Sequence, residues 1–150
     1  RHGLVLACNE GAVMTVGFGH RYPSVEVWST SRVDQPWRVD DEGIDAVSDL
    51  LHAAHVAVSD DVPANEEWHY RPMGTGVTVP WRIILKLRIS TLAGFEGGTK
   101  IYVNTISPAA LAAMLLPKLF QARAAGRIAP MDLGDECEIP RGALAATWVR

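Results

Sequence analysis

Residues 80–104, PWRIILKLRISTLAGFEGGTKIYVN, gather the groups of this chain best placed to do chemistry. Arg82, Lys86 and Arg88 lie an even number of positions apart, so a strand carries all three on one face. Two readings of that stripe stand side by side. Long cations can simply solvate a sheet surface, or they can bind a phosphate or diphosphate, with arginine offering a planar fork. Downstream, Gly94, Gly97 and Gly98 surround Phe95 and Glu96 in what reads as a flexible acidic turn. Glu96 can accept hydrogen bonds from sugar hydroxyls or cap its own loop, and local spacing leaves both open.

The histidines are His2, His20, His52, His55 and His69. His52 and His55 are about one helical turn apart and can share a metal or stand solvated on an acidic helix. His69, beside Trp68 and ahead of a Pro-Gly loop, reads as a hydrogen-bonded structural residue. There is no His-Glu-x-x-His, no paired Cys-x-x-Cys, no His-x-His, no nucleophile elbow and no Walker-type phosphate loop. Cys8 and Cys137 are far apart in sequence; one disulfide is arithmetically possible. With no segment of secretory type, reduced packing thiols and a cytoplasmic setting are the expectation.

The elements that must position these groups follow from pattern. LVLAC (4–8) and AVMTVGF (12–18) flank Asn9-Glu10-Gly11, the signature of a hairpin. His20 to Pro23 is a turn, and SVEVWS (24–29) is a third strand. Asp40, Asp41 and Glu42 open a helix whose apolar positions Ile44, Val47, Leu51, Ala54 and Val58 recur at helical spacing. EWHY (67–70) is a short strand. Trp81, Ile83, Leu85, Leu87 and Ile89 form the apolar face of the central one, and IYVN (101–104) is another strand. Ser107 and Pro108 open a second main helix with Leu111, Met114 and Leu115 on its buried face. Pro117 should kink or break it, and Gly126 should stop it. Residues 127–150 read as an extended covering tail, with ALAATWV as an edge strand.

The sum is a single α+β domain: an antiparallel sheet with two main helices. At 150 residues the chain suits one domain, and 48% hydrophobic with 21% charged residues is an ordinary globular composition. A net charge of −3 gives no basic field for nucleic acid, and no apolar run approaches the roughly 18 residues of a membrane helix. The expected partners therefore include neither nucleic acid nor membrane. The chain starts at Arg1 and residues 3–8 already look like a strand, so it reads as a processed product or a piece of a longer protein.

LAGFEGGTKIYVNTISPAALAAML is similar to a segment near the end of uridylyl- and adenylyltransferases of the galactose-1-phosphate uridylyltransferase type. In that family a Gly-Phe/Tyr-Glu loop precedes a helix opened by proline. HRYPSVEVW resembles the family's Pro-Phe/Tyr-Glu strand, with Tyr22, Pro23 and Glu26 in place, and EEWHYRP resembles its Trp-His-x-x-Pro strand. The motifs occur in the family's order along nearly the whole chain.

The resemblance implies the C-terminal of two histidine-triad-like lobes, active in carbohydrate metabolism as a homodimer. Glu96 would then accept sugar hydroxyls, with Gly94, Phe95 and Gly97 shaping the pocket for a nucleotide-sugar or sugar phosphate. The nucleophilic histidine that carries the nucleotidyl group would lie outside this chain, which alone would be silent. His69 matches a metal-ligand histidine; the family's other two ligands fall on Pro80 and Arg82, which bind no metal. Zinc or iron is accordingly not expected, and Arg82 puts a fixed positive charge on that face instead. The alternative is a non-catalytic binding or scaffolding module with decayed catalytic ancestry.

Overall fold

The computed structural model describes residues 3–89 and 94–138. Among them, strands β1 (Val5–Cys8), β2 (Ala12–Val16), β3 (Ser24–Ser29), β4 (Ala64–His69), β5 (Arg82–Leu87) and β6 (Asp132–Leu133) form one sheet. Its order is β4-β5-β3-β2-β1-β6, with every pairing antiparallel. Two long helices, α1 (Asp41–Val58) and α3 (Pro108–Ala124), and one short one, α2 (Gly94–Thr99), complete the α+β architecture.

Local chemistry accounts for most of the boundaries. Asn9 closes the β1–β2 hairpin: its Oδ1 accepts from Gly11 N at 3.2 Å and Ala12 N at 2.8 Å. Its Nδ2 donates to Ala46 O at 2.8 Å, which ties the turn to α1. Asp40 caps α1 by accepting from Gly43 N at 2.9 Å, with Asp41 and Glu42 in the first turn favoured by the helix dipole. Ser107 caps α3 by accepting from Ala110 N at 3.2 Å.

The core lies between one face of the sheet and the pair α1–α3. Val25 and Val27 of β3, and Ile83, Leu85 and Leu87 of β5, meet Leu50, Ala53, Ala54, Leu115 and Leu119 there. Burying each such aliphatic side chain contributes about 1.5–3 kcal/mol. Trp81, just ahead of β5, is 1% exposed and stacks against Trp68 of the edge strand β4, centroids 5.9 Å apart.

Four expectations are corrected. The GFEGGT segment is a short helix, α2, and not an open turn. IYVN (101–104) is not a strand: its backbone finds local partners, with Ile101 N donating to Thr99 Oγ1 at 3.1 Å. α3 runs through Pro117 without a break. The only bond forfeited is to the carbonyl of solvent-exposed Ala113, while Leu115, Leu119 and Ala122 on the other side hold the helix to the core. Met114 belongs to the exposed side and Leu119 replaces it at the core.

Two smaller differences concern the strands. β4 begins three residues before EWHY, at Ala64. Ile84 is buried although it points away from the α1–α3 core, so the second face of β5 is not wholly polar. ALAATWV lies outside the described residues. Of the tail, residues 127–138 do cover the domain: Ile128, Met131, Leu133 and Cys137 are buried, and β6 pairs with β1.

Candidate functional site

The sheet face opposite the helices carries the polar residues of β3, β4 and β5, and the β2–β3 turn at its rim meets the segment after α2. At the rim, His20 Nε2 donates to Glu26 Oε1 on β3, a close pair whose side chains are 19% and 9% exposed. A carboxylate in a central strand between Val25 and Val27 needs such a partner to be buried. Gly17 makes the arrangement possible: a Cβ there would lie 2.6 Å from His20 Cδ2 and 2.4 Å from Ser24 Oγ.

The segment after α2 is fastened to this turn. Arg21 lies over the Tyr102 ring with its guanidinium carbon 3.6 Å from the centroid, and 5.1 Å from that of Tyr22. Asn104 Nδ2 donates to His20 O at 3.4 Å, while its Oδ1 accepts from Ile106 N at 3.2 Å. α2 closes on itself: Lys100 N donates to Glu96 O at 3.0 Å and Thr99 Oγ1 donates to Phe95 O at 2.8 Å. Lys100 takes a left-handed φ of 61° to leave the helix. Phe95 is 55% exposed and Glu96 is half-buried. Among the described residues nothing lies within 4 Å of a Cβ built on Gly94, Gly97 or Gly98.

The basic stripe is largely engaged within the sheet. Lys86 Nζ donates to Glu67 Oε1 at 2.5 Å, and His69 Nε2 lies 3.4 Å from Glu67 Oε2. The Lys86 hydrogen bond holds the Glu67 carboxyl below its ordinary pKa, partial burial opposes this, and His69 adds a smaller push downward. Arg82 lies over the Trp28 indole at 4.3 Å, with its Nε buried and without a hydrogen-bond acceptor among the described residues. Arg88 is exposed. The structure thus brings Arg82 and Lys86 onto one face, as their spacing requires, but gives each an internal neighbour.

His69 stands directly across the β4–β5 ladder from Arg82. A guanidinium opposite the histidine and a salt-bridged glutamate beside it do not fit zinc or iron. Among the described residues no cluster of three or more histidines, cysteines or acids is arranged to hold a metal. On α1, His55 Nε2 lies 2.8 Å from Glu66 Oε1 of β4, and His52 is exposed, so the two do not converge.

Sequence reading missed the His20–Glu26 pair, Gly17 and the Arg21–Tyr102 stack. The available signal was Glu26 itself, an acid in an otherwise apolar strand. No helix among the described residues is long and apolar enough to cross a membrane.

A family model described as a domain of unknown function, DUF4921, matches residues 1–146. No curated protein matches the sequence. Among solved structures, a uridylyltransferase superposes with a TM-score of 0.66 at 17% identity, over 79% of this chain and 42% of that one. An ADP-glucose phosphorylase from Arabidopsis thaliana with bound ADP-glucose gives 0.68 at 20% identity, over 75% and 39%. A galt-like protein from Arabidopsis thaliana gives 0.68 at 21%, over 75% and 40%. The chain therefore spans about two fifths of the length of the structures it resembles. The fold is the histidine-triad-like one of uridylyltransferase-type proteins.

Proposed function

This chain belongs to the DUF4921 family, and we propose that it is the C-terminal lobe of a nucleotide-sugar nucleotidyltransferase-like protein. In this reading the lobe supplies sugar and nucleotide contacts and a homodimer interface. The histidine that carries the nucleotidyl group belongs to the other lobe. A cytoplasmic role in carbohydrate metabolism accompanies the reading.

The observation that carries it is the shared fold, which takes in three quarters of this chain but only two fifths of the relatives. The sequence motifs add residue roles. Glu96 accepts sugar hydroxyls from α2. Phe95 offers an exposed ring, and Gly94 and Gly97 keep the helix backbone open to a close approach. Arg82 and Lys86 present positive charge toward phosphate, with Lys86 moderated by Glu67.

A second reading, a non-catalytic binding module, draws on the internal engagement of Lys86 and Arg82. Nucleotidyl transfer tests the placement of the chemistry. The chain alone should show no turnover with UDP- or ADP-sugars. Turnover lost on replacing His20, His52, His55 or His69 would put the nucleophile here and overturn the proposal.

A further inference from the structure

Two thiols far apart in sequence come to the β1–β6 end of the sheet. Cys8 ends β1, and its neighbour across the ladder is Asp132 of β6. The chain then passes through a single 3-10 turn, Gly134–Glu136, which returns Cys137 to the same place. Cys137 Sγ donates at 3.3 Å to the carbonyl of Asp132, the same residue that faces Cys8 across the ladder.

The position of Cys137 does not depend on its own sulfur. Glu136 accepts from Leu133 N at 2.9 Å and from Arg123 at 2.6 and 2.9 Å, which pins the turn to α3. The two thiols differ in access. Cys137 is 3% exposed, whereas Cys8 is half-buried. Cys8 also lines an open cavity of about 890 Å³, together with Asn9, Glu10, Arg123, Met131 and Asp132.

We propose that Cys8 and Cys137 form a thiol–disulfide exchange site that takes a low-molecular-weight disulfide of the glutathione class at Cys8 and closes into a Cys8–Cys137 disulfide. The Cys8 thiolate attacks one sulfur of the incoming disulfide, forming a mixed disulfide and releasing one small thiol. Cys137 then loses its proton to solvent and attacks the Cys8 sulfur, releasing the second small thiol. Two protein thiols are oxidised and one small disulfide is reduced, so atoms and electrons balance.

Burial, the Cys8 contact and the carboxylates of Asp132 and Glu136 push the Cys137 thiol above its ordinary pKa. Its attack is therefore the slow step, and the mixed disulfide at Cys8 forms first. The finished bond closes a loop spanning most of the chain, which restricts the unfolded state and fastens β6 to β1.

Oxidised glutathione, with intact-mass measurement and peptide mapping over time, tests the site. In the wild-type protein a transient adduct on Cys8 should give way to a Cys8–Cys137 link. The closed form should melt about 5–15 °C higher than the reduced one. Cys137→Ser should stop at the Cys8 adduct, and Cys8→Ser should take up none. A persistent Cys8 adduct in the wild type, an interchain link or two unreacted thiols would overturn the proposal, and the wild-type arm decides it whether or not the variants fold.

Discussion

Gly97→Ala separates what α2 needs for its own folding from what a ligand would need of it. Gly97 lies inside the helix Gly94–Thr99, outside the left-handed region, and no described neighbour comes within 4 Å of an added Cβ. Alanine there removes backbone freedom from the unfolded chain and should stabilise the protein by about 0.4–1 kcal/mol. For a domain of this size that raises Tm by about 1–4 °C. If α2 receives a sugar as proposed, a methyl group at the same point obstructs its approach to the helix backbone, and affinity should fall by about tenfold or more. Thermal melting and calorimetry with UDP- and ADP-sugars read the two effects separately. A lower Tm would show that the glycine serves the chain's own packing. A higher Tm with unchanged affinity would show that nothing approaches the helix at this position.

Gly17→Ala should do the opposite. The new Cβ would meet Ser24 Oγ at 2.4 Å and His20 Cδ2 at 2.6 Å, both fixed by the turn. The expected cost is about 1–3 kcal/mol in chemical denaturation, with the His20 ring displaced from Glu26 in its NMR shifts. Acid should loosen the β6 end through Glu136, whose carboxyl is held down to about 2 by Arg123 and then by Leu133 N. Because its folded pKa lies below the ordinary 4.5, its contribution is complete above that value and is lost as pH falls through about 2. Denaturation midpoints measured across that window should fall less steeply in Glu136→Gln than in the wild type.

The parts of this fold that were legible beforehand are those decided within a few residues. Asn9 and Gly11 marked the first hairpin, Asp40 with its acidic followers marked α1, and Ser107-Pro108 marked α3. IYVN misled because being a strand is settled by a neighbouring ladder, and Tyr102 and Asn104 instead spend their contacts on the His20–Arg21 turn. Pro117 misled because a lost bond on the wet side of a helix costs little when the dry side is packed.

The candidate site was legible only in its residue types. Arg82 and Lys86 share a face as their spacing requires, but Glu67 and Trp28 reach them from two other strands. The register that decides this, Glu67 opposite Ile84 and Trp28 opposite Arg82, is a property of the assembled sheet. Cys8 and Cys137 make the same point more sharply, since nothing short of the β1–β6 pairing brings them together.

Glu96 bears most directly on the claim that this lobe contacts a nucleotide-sugar. Calorimetry with UDP- and ADP-sugars should be run on the complete protein, wild type and Glu96→Ala. A hydrogen bond from a sugar hydroxyl to a carboxylate is worth about 1.5–3 kcal/mol, so the variant should bind about 10–100-fold more weakly. Binding that is detectable in the wild type and unchanged in Glu96→Ala would contradict the account.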